Sequence, residues 1–451
     1  MARQFKAKLE RQGIGRRDFL RLISASTATA LMAPLLDGCA VNPVTGQNQL
    51  MLMSEQQEVA LDKQNSPHQF SADYGPSQDA GLNNYVDSVG KKLARLSHRP
   101  NMPYSMRAVN ATYVNAYAFP GGSIATTRGI LLELQNEAEL AGLLGHEIGH
   151  VNARHTASRM SKGILLSAVM TGASAYAATQ SGNDWAPLIS SLGGLSAGAL
   201  LAYYSREDER QADDLGMEYA TRAGENPQGM VGLMEVLVNK SKRQPSMLEQ
   251  MFSSHPMSSE RYQTAVQATR TKYAQYSGLP LNRDRYMDYT ARLRRMREPI
   301  LTLQEGSELM SKKQLQPAEA KFDTALRMIP HDYAGLLMMS KCQAAKNNVR
   351  KAEYYAQRAT EVYPQEAQAY HSLGVARLVG DRYAAAYDSF AIYDRLLPGN
   401  PQLLFLKGLS LEGMGQNNNA AENYYRYIQQ VRQGGPAQYA YGRLRQWGMV
   451  R

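Results

Sequence analysis

The chain has 451 residues, a formal net charge of +10, 43% hydrophobic side chains and two cysteines. That length supplies two or three packed domains, and two cysteines cannot build a disulfide framework. The first 38 residues carry seven basic and three acidic side chains, which leaves about +6 on the remainder, without the basic stripe interleaved with aromatics that nucleic-acid binding requires; nucleic acid is excluded as a partner.

Residues 1–38 read as a targeting segment, to be left out of the fold. Arg16-Arg17-Asp18-Phe19-Leu20-Arg21 resembles a twin-arginine export signal, and the apolar stretch from Leu22 to Leu36 is too short to span a bilayer comfortably. Leu36-Asp37-Gly38-Cys39 looks like a lipobox, with Asp37 an unusual occupant of its position; if it is processed, Cys39 becomes a lipidated N-terminus. Ala40 is not the Asp of an inner-membrane retention signal, so the expected address is the periplasmic face of an outer membrane. Ordinary Sec export and an uncleaved anchor helix are the alternatives.

Tyr113 to Ala118 is a short extended run ended by Pro120 and the pair Gly121-Gly122. A helix is expected next, with Asn136 as N-cap, Glu137 and Glu139 in its first turn, and Leu140, Leu143, Leu144, Ile148 and Val151 on a buried face. It carries His146-Glu147-Ile148-Gly149-His150, a His-Glu-x-x-His signature. Four helical steps of about 100° bring His150 back to within roughly 40° of His146, so both imidazoles can hold one metal ion. Glu147 lies beside that ion, where a general base for a metal-activated water belongs. Zinc catalysis needs a third protein ligand. His155 points away from the metal face and is expected to have other partners.

Gly163 to Thr179 and Trp185 to Tyr204 are poor in charge and rich in small residues, which favours a packed or membrane-touching helical hairpin over a true span. Ser205-Arg206-Glu207-Asp208-Glu209-Arg210-Gln211-Ala212-Asp213 follows on a predicted helix. Glu209 and Asp213, four apart, share a face, so one carboxylate can bind the metal while the other orients an imidazole or handles protons.

Together these two motifs resemble the HtpX and CAAX-prenyl-protease family of gluzincin metallopeptidases. The resemblance implies Glu209 as the third zinc ligand and Asp213 in support, with Glu147 and Asp213 as the catalytic carboxylates of one Zn2+ site. Asn42 to Ser54 is similar to the start of mature periplasmic members, and Val114 to Ser123 to the strand before their active-site helix. That match implies that Asn115, Ala116 and Tyr117 pair with an extended substrate at a sheet edge. Ser254-His255-Pro256 is similar to a downstream His-Pro segment of BepA-like members, which implies that His255 is a regulatory fourth ligand carried on a lid.

From residue 300 the chain repeats with a period of 34: Pro330, Pro364 and Pro398; Ala318, Ala352, Ala386 and Ala420; Gly306, Ser340, Gly374 and Gly408; Phe322, Ala356, Phe390 and Tyr424. This is the tetratricopeptide period, each unit a helix pair. The expected fold is mainly α, a gluzincin domain with a small β-sheet followed by an α-solenoid. The expected divisions are a signal at 1–38, a protease domain at 39–285, a linker at 286–300, about four repeats at 301–435 and a tail at 436–451. The expected function is a lipid-anchored, periplasmic zinc endopeptidase for unfolded envelope proteins, with repeats that dock substrate or outer-membrane assembly machinery. A repeat-bearing chaperone or adaptor with a quiescent site, and an integral-membrane protease, are the rivals.

Overall fold

A computed structural model describes residues 39–162, 204–243 and 251–450. The twin-arginine segment and the expected hairpin, apart from its last residue Tyr204, lie outside the described residues. Among the described residues, no helix is long and apolar enough to cross a membrane.

Strands β1 (Cys39–Val41) and β2 (Asn48–Leu50) form a hairpin in which Cys39 pairs with Leu50. Helices α1 (Glu55–Ala72) and α2 (Ala80–Ala94) precede a three-stranded sheet of β3 (Ser105–Val109), β4 (Ala116–Ala118) and β5 (Ser123–Thr127). The spatial order is β3-β5-β4, with β3 parallel and β4 antiparallel to β5. β4 is therefore an edge strand, and it is shorter than the expected run because Asn115 turns its amide to the Thr127 hydroxyl.

Helix α3 (Arg128–Glu133) leads to α4 (Glu137–Asn152), followed by α5 (Arg206–Arg222), α6 (Gln228–Arg243) and α7 (Ser259–Arg270). Asn136 caps α4 by accepting from the Glu139 amide at 2.9 Å, as its position predicted. Every residue of α4 is buried, so the metal-motif helix runs through the middle of the core.

The stretch 286–300, expected as a linker, is instead helical and packed, within α8 (Arg283–Arg295) and the start of α9 (Arg297–Ser311). The reason is local: α3 ends with carbonyls that need donors, and α8 and α9 supply them. Tyr286 donates to the Leu131 carbonyl at 2.7 Å, Arg294 to Leu134 at 2.5 Å and Arg297 to Leu132 at 2.9 Å. The expected tail is also structured, since Ala437, Ala440 and Leu444 of α17 (Gly435–Gln446) are buried against the preceding helix.

The repeats are the helix pairs α9 and α10 (Leu315–Met328), α11 (Tyr333–Ala345) and α12 (Val349–Val362), α13 (Ala367–Val379) and α14 (Tyr383–Leu396), and α15 (Gln402–Gly413) and α16 (Asn417–Gln430). The two periodic series meet inside each pair. A Cβ at Gly306, Gly374 or Gly408 would lie 2.5 Å from the ring of Phe322, Phe390 or Tyr424. Where the second position shrinks to Ala356, the first grows to Ser340, whose hydroxyl donates to the Ala352 carbonyl at 2.8 Å.

The repeats fold back onto the sheet side of the protease body. Arg128 pairs with Asp332 at 2.5 Å with both side chains nearly inaccessible, and Lys341 stands 4.8 Å over the Tyr74 ring. Ser71 hydrogen-bonds Glu366, Gln304 donates to the Thr112 carbonyl, and Gln78 donates to the Val362 carbonyl at 3.1 Å.

Candidate metal centre

Small residues bring the two motif helices together. Gly145 and Gly149 on α4 face Gly216 and Ala212 on α5, so closely that a Cβ at Gly145 would come within 2.8 Å of the Gly216 carbonyl oxygen and one at Gly149 within 3.0 Å of that of Ala212. Both pairs are spaced by four, one helical turn, and flank His146, His150, Glu209 and Asp213. At the far end of α4, Arg99 donates to the Val151 carbonyl at 2.8 Å and shares Glu58 with Arg154 at 2.7 and 3.0 Å. These cations suit a helix C-terminus and fix the metal helix to α1.

His146, His150, Glu209 and His255, all buried, each offer one donor atom, and the four atoms lie within 4.8 Å of one another. The Nε2 atoms of His146 and His150 face each other at 3.0 Å. His146 Nδ1 is held by Asp213 Oδ1 at 2.9 Å, while His150 Nδ1 meets His155 Nδ1 at 2.8 Å, and His155 Nε2 meets Gln211 Oε1 at 2.9 Å. With their Nδ1 atoms occupied, both imidazoles turn Nε2 inward. His255 Nδ1 lies 2.9 Å from Glu209 Oε1 and 3.3 Å from His146 Nε2.

Glu147 is buried beside this group, and neither of its carboxylate oxygens has a hydrogen-bond partner. Burial raises its pKa, against the pull of His255 and His146. Burial would also raise Glu209, but His255, His146 and His150 hold it well below the usual carboxylate range. His150 is pushed well below the ordinary imidazole value, chiefly by burial, which keeps a lone pair available.

Three buried carboxylates, Glu147, Glu209 and Asp213, thus face one guanidinium, that of Arg261, and a divalent cation held there would supply further positive charge. Two inward imidazoles and a carboxylate are also the donors that zinc prefers, so the residues fit a metal.

Asp213, expected among the catalytic carboxylates, sits behind His146, bonded to its Nδ1 at 2.9 Å, and is clasped on both oxygens by Arg261. His155 has the separate partners expected of it and backs His150. Asn115, Ala116 and Tyr117 are buried, with Ala116 and Tyr117 on edge strand β4, where no further strand pairs among the described residues. Tyr117 is fastened by its hydroxyl to Asp73 Oδ2 at 2.5 Å. Sequence reasoning missed Arg261, and it missed Tyr204, whose ring stacks on His150 with centroids 3.8 Å apart. The spacing of the glycines in α4 was the one signal that could have foretold the helix contact.

The profile described as peptidase family M48 matches residues 80–269. A relative, Metalloprotease YcaL of Escherichia coli, is 32% identical over 179 residues, which cover 39% of this chain and 67% of that protein. The chain belongs to peptidase family M48. It is a metallopeptidase, and in plan a protease domain followed by tetratricopeptide repeats. The chain is also similar to the beta-barrel assembly-enhancing protease of Yersinia pestis, 29% identical over 253 residues, 54% of this chain and 49% of that one. It therefore spans about half the length of that curated relative. Among solved structures, a thermophilic TPR protein in Thermus thermophilus aligns with 34% of this M48 chain and 84% of its own, at 17% identity and a TM-score of 0.29.

Proposed function

We propose that this M48 peptidase is a zinc-dependent endopeptidase of the bacterial cell envelope that cleaves unfolded or stalled envelope proteins. The observation that carries this reading is the convergence of His146, His150 and Glu209 beside Glu147, whose buried carboxylate makes no hydrogen bond. His146, His150 and Glu209 would hold one Zn2+. Such an ion supplies Lewis acidity toward a peptide carbonyl and lowers the pKa of water. Glu147, raised by burial, takes the proton of the attacking water and passes it to the leaving amine. Asp213 and His155 keep the two imidazoles in the required tautomer. β4 accepts the substrate by strand addition, which only an extended chain can satisfy; unfolded clients follow from that. The repeats dock substrate or outer-membrane assembly machinery in this reading, and the Yersinia pestis relative, named for enhancing beta-barrel assembly, supports it.

The reading includes a periplasmic address, with export by the twin-arginine route and a lipid on Cys39 that favours the outer membrane; the N-terminal sequence supports it. His255 is read as a displaceable fourth ligand on a lid, which its closeness to Glu209 supports. Purified full-length protein should carry one zinc per chain and cleave casein, and chelation should stop cleavage until zinc is returned. A chain without bound metal that still cleaves casein in chelator would overturn the assignment.

If His255 restrains the enzyme, His255→Ala should raise casein cleavage, by up to about tenfold where the closed lid holds about 90% of the population. Cleavage no faster than the parent across a range of casein concentrations would make His255 a helper or a bystander.

A further inference from the structure

Arg261 occupies the first turn of α7, where Ser258 accepts from its amide at 3.2 Å and fixes its backbone. Its side chain is 8% exposed, and the guanidinium reaches three different parts of the site. Nε and Nη2 clasp the two oxygens of Asp213 at 2.6 and 2.7 Å. Nη1 donates to the carbonyl of Pro256 at 3.0 Å and stands 2.6 Å from Glu209 Oε2. That last contact is a close charge contact whose geometry leaves Glu209 Oε2 without a hydrogen bond.

We propose that Arg261 is a positioning residue that aims two of the three metal-binding side chains, Glu209 by direct charge contact and His146 through Asp213, and that it also latches the His255 segment through the Pro256 carbonyl. The inference rests on the metal-site reading above.

The chemistry calls for arginine. Asp213 can orient His146 only if its carboxylate plane is fixed, and a planar guanidinium with two parallel N–H groups fixes that plane where the single point charge of a lysine does not. Arg261 also separates two carboxylates on one face of α5, Glu209 and Asp213, which would otherwise repel each other in a dry site. The latch has unequal parts. Two charged hydrogen bonds bind Arg261 to Asp213, and one hydrogen bond to a neutral carbonyl binds it to the His255 segment. The weaker contact gives way first. When the segment carrying His255 and Pro256 swings out, Arg261 stays with the carboxylates, and the ligands keep their aim while the site opens.

Full-length parent, Arg261→Lys, Arg261→Gln, Glu209→Gln and Glu207→Gln proteins would be compared for zinc affinity against a chromophoric chelator and for the visible spectrum of the cobalt-substituted form. Glu207 is exposed on α5 and serves as the control. Arg261→Lys should keep its thermal midpoint but bind zinc about 10- to 100-fold more weakly, with an altered cobalt spectrum, because loss of an outer partner loosens the ligands. Arg261→Gln should bind more weakly still; if it fails to fold, the lysine variant carries the test. Parent-like affinity and spectrum in Arg261→Lys, alongside a loss of zinc in Glu209→Gln, would overturn the role of Arg261 and leave the metal site standing. Parent-like zinc binding in Glu209→Gln would instead sink the metal-site reading, and the inference with it.

Discussion

Glu147→Gln is expected to remove nearly all peptide cleavage while leaving the metal bound. The substitution keeps the shape of the side chain and changes one thing, the capacity to take a proton. Neither carboxylate oxygen has a hydrogen-bond partner in the folded chain, so the exchange breaks no hydrogen bond and weakens only the 3.9 Å charge contact with His255. A positioned general base contributes about 10²- to 10⁴-fold to rate, and casein cleavage should fall by that factor, with zinc content unchanged. The variant should be about as stable as the parent, since burying a carboxylate that makes no hydrogen bond is unfavourable and a neutral amide relieves part of that cost. Activity within a few-fold of the parent would place the base elsewhere. The same variant separates a protease from an adaptor, because an adaptor would keep its cellular role without Glu147.

The second large effect concerns stability. Arg128 and Asp332 lie 204 positions apart in the sequence and meet in a buried ion pair, where Arg128 also donates to the Asn110 carbonyl at 2.9 Å and Asp332 caps α11 by accepting from Gly335 at 2.8 Å. Asp332→Ala should lower stability by about 3–5 kcal/mol, as expected when one partner of a buried pair is removed and the other charge is stranded. Asp332→Asn keeps the cap and loses only the charge, so it should retain the cap's share, about 1 kcal/mol. Adding Arg128→Met to Asp332→Asn should recover much of the remainder, because no charge is left buried. Urea midpoints of the three variants give the comparison; an Asp332→Ala midpoint equal to the parent's would mean that the repeats do not depend on this contact.

What could be read from the residues was whatever is local or periodic. The Asn136 cap, the apolar face of α4 and the 34-residue series all follow from spacing along one element, and the meeting of Gly306 with Phe322 is written in the same interval. The third metal-binding residue needed a family resemblance, since two acids four apart on a charged helix usually face solvent. Arg261 escaped notice because its partner Asp213 lies 48 positions away, and no periodicity reports such a pairing. α8 was taken for a linker because its sequence is mostly charged and only Tyr286, Thr290 and Leu293 mark its buried face; the carbonyls of α3 that it satisfies are invisible in its own composition.

The grip of the repeats on residues 71–78, 112 and 128 bears on modularity. An array that looks in sequence like a detachable adaptor supplies a carboxylate to Arg128, a cation to the Tyr74 ring and an amide to the Thr112 carbonyl, just upstream of the edge strand. Transplanting a foreign array onto this peptidase would leave those groups without their complements. Evolution can therefore exchange the outer faces of these repeats freely, but the faces turned inward must change in step with the protease they rest on.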